Sequence, residues 1–303
     1  MILTVTPNPA VDQTIEMDEE VQADTVQRST DAQFNSGGNG INVSQFVRAL
    51  GTETVATGFI GGFTGYFIEQ DLVEYDVPTD FVEVDGETRI NTTLLTPESE
   101  YHINQSGPSA DRDAVDELIE TLQDHEPSVI NIGGSLPPEM DAADVDRIAE
   151  AGEWDTALDV HGELMVELDG QYEYCKPNRE ELTAATGIEV ETIDDCAEAA
   201  RKLQEMGYER VIASMGGDGA VLVTPEETLY APPLDVDVVD TIGAGDSMFA
   251  AVLWAYEQGW DDETALRAGV ATSAHLVSIK GPSVHDLDPE ATMDQVRVWS
   301  MRG

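Results

Sequence analysis

The chain begins with a short apolar run, residues 2–5, and its polar and apolar positions then fall into two different rhythms. Residues 11–17 and 26–34 alternate with a period of two, the pattern of half-exposed strands. A glycine turn, Gly37-Gly38-Asn39-Gly40, leads into helical periodicity over residues 41–50. Residues 54–60 predict a strand and residues 63–73 a helix. Two more alternating strands, 88–95 and 101–104, flank a turn that contains Pro97 and Glu98. From Asp111 onward the rhythm changes. Predicted helices over 111–122, 142–151, 197–206 and 263–278 interleave with predicted strands over 128–132, 157–160, 172–175 and 211–214. Another helix starts at Asn178, Gly207 ends the helix before it, and 220–223 reads as a hairpin strand.

Repeated strand–helix alternation predicts an α/β fold: a mostly parallel sheet flanked by helices. The early polar strands do not share that rhythm. They predict a small β-sheet lid, from about 11–35 and 86–105, inserted into a single domain that spans residues 1–303.

Charge changes the picture more than composition does. The 303 residues are 41% hydrophobic, enough for one large core, but 61 acidic residues face 14 basic ones, a formal charge of −47. So negative a surface repels nucleic acid and anionic lipid. It also repels itself, and molar salt, with a Debye length of ~3 Å, is what would screen it. A salt-adapted surface in a high-salt cytoplasm is the expectation. The N-terminus lacks a basic segment and reads as a strand, not a signal peptide. Cys175 and Cys196 are the only cysteines, so reduced thiols are expected.

The densest chemistry lies at Asp240-Thr-Ile-Gly-Ala-Gly-Asp246. The helix that follows, 246–258, is apolar all round, so it is buried and its first amides need partners. A glycine turn there gathers free N–H groups at the positive end of a helix dipole, an anion hole. A carboxylate beside such a hole is unhelpful for merely holding phosphate. It makes sense if Asp246 takes a proton from a hydroxyl while the amides stabilise a migrating phosphoryl group. A tight turn followed by an ordinary N-terminal acid gives the same spacing, so both readings stand on these residues alone. No GxxxxGKS or GxxxxGKT loop, HExxH or CxxC occurs, which argues against a P-loop and a zinc site.

Taken together, Thr6-Pro-Asn-Pro-Ala-Val-Asp12, Gly37-Gly-Asn-Gly-Ile-Asn-Val43, Thr88-Arg-Ile-Asn91, Gly134-Ser-Leu-Pro-Pro138, Lys176-Pro-Asn-Arg-Glu-Glu181 and Asp240-Thr-Ile-Gly-Ala-Gly-Asp-Ser247 resemble the PfkB, or ribokinase-type, carbohydrate kinases, and most of all their phosphofructokinase branch. The resemblance implies a ribokinase-like three-layer core with a lid that clasps a second subunit as a homodimer. It implies ATP and Mg²⁺, with Asp246 as base and the amides of Gly243, Ala244 and Gly245 as anion hole. Asp12, Gly38, Asn39, Asn42 and Asn104 would hold the sugar. Arg89, and Arg28 from a lid strand, would meet an anionic substrate group. Lys176, Ser214, Gly216, Gly219 and Thr241 would line the nucleotide site, and Asn178 and Glu181 would organise Mg²⁺ through water. Asn178 read alone is also a helix cap.

The sequence departs from the family at Asn39, where the 1-phosphofructokinase and tagatose-6-phosphate kinase pattern has lysine. A cation near the substrate phosphate is thereby lost. Fructose 1-phosphate is the expected acceptor, with fructose 6-phosphate and free fructose as alternatives. A non-catalytic sugar- or nucleotide-binding regulator on the same fold is the reading of a different class, and it would show eroded catalytic residues. The Asp246 turn is intact.

Overall fold

The computed structural model describes residues 1–279 and 287–301. Its first strand, β1 (Ile2–Thr6), is buried along its whole length and becomes the middle of a large sheet. The lid strands β2 (Ala10–Glu16) and β3 (Asp31–Gly37) follow, then helix α1 (Asn39–Ala49), β4 (Thr54–Ile60), α2 (Gly62–Glu74) and β5 (Val82–Glu83). The chain returns to the lid as β6 (Arg89–Leu95) and β7 (Glu100–Asn104). The core resumes with α3 (Arg112–His125), β8 (Val129–Gly133), α4 (Ala142–Glu150), β9 (Asp155–Asp159), α5 (Gly162–Glu167) and β10 (Tyr172–Cys175). Then come α6 (Arg179–Thr186), α7 (Ile193–Glu205), β11 (Tyr208–Ser214), β12 (Ala220–Val223) and β13 (Thr228–Ala231). Helices α8 (Ala244–Glu257), α9 (Asp262–Val277) and α10 (Glu290–Met293) precede a last strand, β14 (Trp299–Ser300).

Among the described residues the large sheet has ten strands, in the order β14-β13-β12-β11-β10-β9-β8-β1-β4-β5. It is parallel from β11 to β5 and antiparallel through β11, β12, β13 and β14. Apolar side chains of α3, α4, α6 and α7, such as Leu118, Ile148, Leu182 and Leu203, cover one face. Those of α1, α8 and α9, such as Phe46, Phe249 and Leu266, cover the other. The three-layer α/β expectation therefore holds. Because the crossover strands are parallel, their carboxyl ends all open on one side, where α/β sheets bind ligands.

The smaller sheet runs β3-β2-β6-β7, with β2 and β6 parallel. Successive side chains point to opposite faces of a strand. Asn35, Asp12, Asn91 and Asn104 therefore form one row across all four strands. Phe34, Gln13, Thr92 and Ile103 form the next row, on the opposite face. At its base the lid rests on α2 through Val11, Ile68 and Leu72.

Several boundaries differ from the sequence expectation. The second lid strand spans 31–37 rather than 26–34. Residues before it form an excursion instead, turned at Asp24 (φ 60°) and closed by the Gln27 side chain bonding the Gln22 amide and the Glu20 carbonyl. Arg28 is consequently not on a lid strand: it lies exposed in this excursion. Helix α7 begins four residues earlier than the apolar pattern because Thr192 and Asp195 form a reciprocal capping box. Helix α8 begins at Ala244, so Asp246 is its third residue. Both cysteines are buried thiols.

Candidate active site

Three glycine-bearing turns converge at the carboxyl end of the sheet. The first joins β3 to α1. Gly38 has φ 125°, and a Cβ there would lie 2.6 Å from the Thr6 side chain, so only glycine lets the turn close on the end of β1. The second turn follows β8 at Gly133–Gly134, and the Gly134 amide is bonded to the Asp159 carbonyl at 2.9 Å. The third enters α8 through Gly243, the N-cap, with φ 74°.

At this third turn the amides of Gly243, Gly245 and Asp246 have no hydrogen-bond partner among the described residues. The Ala244 amide is engaged by the Thr241 carbonyl at 3.3 Å, which removes one of the three donors expected for the anion hole and adds that of Asp246 in its place. The Asp246 side chain reaches back to α1, where Asn42 Nδ2 donates to its Oδ2 at 2.7 Å. Burial, reinforced by the nearby Asp159 carboxylate and opposed by Lys176 and the Asn42 bond, pushes the Asp246 carboxyl from 3.8 up to about 6. A group held near 6 is ionised at neutral pH yet basic enough to accept a hydroxyl proton in a transition state.

On the lid side, the Asn91 amide donates to Asp12 Oδ1 at 3.1 Å, and burial raises the Asp12 carboxyl above its ordinary range. Asn104 stands opposite Asn91 in the register. Arg89 is half-buried at the foot of β6 and pairs with no carboxylate within salt-bridge distance among the described residues. One of its guanidinium nitrogens, Nη2, donates to the Asn8 carbonyl at 2.8 Å, while its buried Nε has no partner among the described residues. Burial lowers its pKa, with Asp12 opposing. A desolvated guanidinium with free donors is a receptor for an anion.

Beyond the α8 turn, a cavity of about 290 Å³ is lined by Gly216, Gly219, Thr241, Ala244, Met248 and Val277 among others. Its walls are largely apolar and its floor is glycine backbone, which suits a flat nucleobase. Gly216, Gly219 and Thr241, expected to line a nucleotide site, all lie in the wall of this one cavity. Ser214 lies behind them, bridged to Asn178, outside the cavity wall. Lys176 is also outside it. Its ammonium, 7% exposed, is 2.9 Å from Asp159 Oδ1.

Asn178 and Glu181 form a capping box. Asn178 Oδ1 accepts from the Glu180 and Glu181 amides, and Glu181 Oε2 accepts from the Asn178 amide at 2.8 Å. Among the described residues one Glu181 oxygen stays uncommitted, and burial raises the carboxyl. No cluster of three or more metal-ligating side chains occurs among the described residues. A single free carboxylate oxygen fits a hydrated Mg²⁺ held through its waters, since that ion keeps most of them.

A family model for pfkB family carbohydrate kinases matches residues 5–288. The chain belongs to the pfkB family of carbohydrate kinases. It is an ATP-dependent sugar kinase, and its relatives make the branch clear. It is 50% identical over 303 residues to the 1-phosphofructokinase of Haloferax volcanii, covering 100% of this chain and 99% of that one. It is 34% identical to the D-tagatose-1-phosphate kinase of Bacillus licheniformis, over 98% of this chain and 99% of that one. Among solved structures, phosphofructokinase-2 from Escherichia coli in complex with fructose-6-phosphate superposes with a TM-score of 0.82 at 28% identity, over 91% of this chain and 93% of that chain.

Two residues of this pfkB-family site were not singled out from the sequence as site residues, Asp159 and Asn91. Asp159 closes an apolar strand with a charge at its carboxyl end, 2% exposed. In a parallel sheet that position is a usable signal. Asn91 stood within the Thr88–Asn91 motif, but only the strand register shows that it faces Asp12.

Proposed function

We propose that this kinase transfers the γ-phosphoryl group of ATP to a free hydroxyl of fructose 1-phosphate, giving fructose 1,6-bisphosphate. The observation that carries the reading is the junction at α8: a carboxylate poised near 6 stands among three unengaged amides, between a polar lid row and an apolar nucleotide-sized cavity. The sugar lies against Asp12, Gly38, Asn42 and Asn104, and its phosphate against Arg89. The sugar hydroxyl oxygen attacks the γ-phosphorus, Asp246 takes the hydroxyl proton, and the bond to the β-phosphate oxygen breaks to release ADP. The Gly243, Gly245 and Asp246 amides hold charge on the migrating group. Mg²⁺ would be held through water by Glu181, whose side chain the Asn178 backbone amide fixes, and would supply positive charge to the nucleotide phosphates when bound. Lid closure keeps water out, so ATP is not hydrolysed idly.

Tagatose 1-phosphate is the second acceptor to consider, because a relative at 34% identity is a D-tagatose-1-phosphate kinase. The lid also supports a homodimer. Phe34 and Ile103 stand 47% and 59% exposed on the face opposite the polar row, more apolar surface than a solitary lid should leave wet. The high-salt cytosol remains the proposed setting. No helix among the described residues is long and apolar enough to cross a membrane.

The test is a coupled ATP-consumption assay in molar KCl with fructose 1-phosphate, fructose 6-phosphate, tagatose 1-phosphate, fructose and adenosine. The highest kcat/KM is expected for fructose 1-phosphate. A higher kcat/KM for any of the other four would overturn the substrate assignment.

A further inference from the structure

Asp159 is held from two sides. Asn39 Nδ2 donates to its Oδ2 at 3.1 Å, and the Lys176 ammonium lies 2.9 Å from its Oδ1. The pair is buried, at 2% and 7% exposure. Directly above it is the α8 turn: a Cβ built on Gly245 would stand 3.2 Å from Lys176 Nζ. Asp246 faces the same pair, its carboxyl close enough to Asp159 to share a hydrogen bond.

Three charged groups therefore meet in one buried spot, and one ammonium cannot neutralise two carboxylates. Among the described residues Asp159 has two donors, Asn39 and Lys176, whereas the Asp246 side chain has one, Asn42. Burial and the neighbouring Asp159 charge both push the Asp246 carboxyl up. Asn39 has a part in this: its amide nitrogen faces inward on Asp159, which leaves substrate anion recognition to Arg89.

We propose that Asp159 is a positioning residue for phosphoryl transfer: it holds the Lys176 ammonium and the Asn39 amide on itself, and so leaves Asp246 free to take the sugar's proton. The proposal rests on the reading of Asp246 as the base. The charged groups that face Asp246 are Asp159, at the end of β9, and Lys176, after β10. Glu181 of α6 faces Lys176 and Asp159 from the far side, with His161 beyond it.

The variants Asp159→Asn and Lys176→Met separate this from a merely structural role. Removing the Asp159 charge leaves Lys176 facing Asp246 and Glu181, and turns more of its field onto Asp246. The acid limb of kcat/KM then moves down by about one pH unit or more, and kcat falls roughly 3- to 30-fold as the base weakens. Removing the Lys176 charge moves the limb up. The double variant moves it back toward wild type. The substrate's own phosphate titration is common to all four enzymes and cancels in the comparison. A role limited to packing would lower the melting temperature without shifting the limbs in opposite directions, so limbs that stay put, or that move the same way, overturn the proposal. If Asp159→Asn does not fold, the upward shift in Lys176→Met alone decides. Asp246→Asn serves as the control. An active Asp246→Asn enzyme defeats the base reading itself. An inactive one with unmoved limbs in the other variants defeats only the role of Asp159.

Discussion

Asp246→Asn should make the enzyme nearly inactive and also more stable. The folded chain raises this carboxyl from 3.8 to about 6. Between those values the folded state holds a proton that the unfolded state has released, so stability falls as pH rises through the window. Below the lower value both states are protonated and the group contributes no penalty. Above the upper value both are ionised and the penalty is complete. Each pKa unit corresponds to about 1.36 kcal/mol, so the ceiling is roughly 3 kcal/mol at neutral pH. Local relaxation and water entry bring the expected value to about 1–2 kcal/mol. Asparagine keeps the shape and can still accept from Asn42, while its amide donates to Asp159 where a second carboxylate stood. A gain of about 1–2 kcal/mol would raise the melting temperature of a chain this size by roughly 1.5–3 °C. Thermal melts of both proteins in molar KCl at pH 7.5 and 4.5 measure it. By the same linkage the gain at pH 4.5 should shrink to about a third of that at pH 7.5. A variant less stable than wild type at pH 7.5, or a gain equal at both pH values, would mean that the Asp246 carboxylate is not held at a cost in the folded chain. In the same samples kcat should drop by about 10²–10⁴.

Three further outcomes follow from the same geometry. Arg89→Ala should lower kcat/KM on fructose 1-phosphate about 10- to 150-fold, through KM more than kcat, with little change on free fructose; equal losses on both would remove Arg89 from phosphate recognition. With a formal charge of −47, the melting temperature should fall steadily as KCl is lowered from molar to about 0.1 M, because the Debye length grows from ~3 Å to ~10 Å; a midpoint indifferent to salt would argue against a salt-adapted surface. Phe249 is fully buried in α8, so Phe249→Ala should cost about 3–5 kcal/mol in urea denaturation, and a cost below about 1 kcal/mol would mean that this helix is not the core element described above.

The sequence by itself determined the layers of this protein, because periodicity is local. The alternation over residues 11–17 became β2, and the all-round apolar run after Asp246 became the buried helix α8. Charge was equally legible, since it needs only counting. The boundaries it misplaced were set by side chains that compete with the periodic pattern, such as the Thr192 cap and the Gln27 bonds that keep residues before Asp31 out of the lid. The site was legible only in pieces. Asp246, Gly243 and Asn42 could each be named from their motifs, but nothing local says that Asn42 and Asp246, 204 positions apart, share a hydrogen bond. Nor does anything local turn Asn39 onto Asp159, 120 positions away, or bring Lys176 to the same carboxylate. Those partners meet because parallel strands bring their carboxyl ends to one edge of the sheet, and a buried charge must find its counter-charge wherever the fold has placed one.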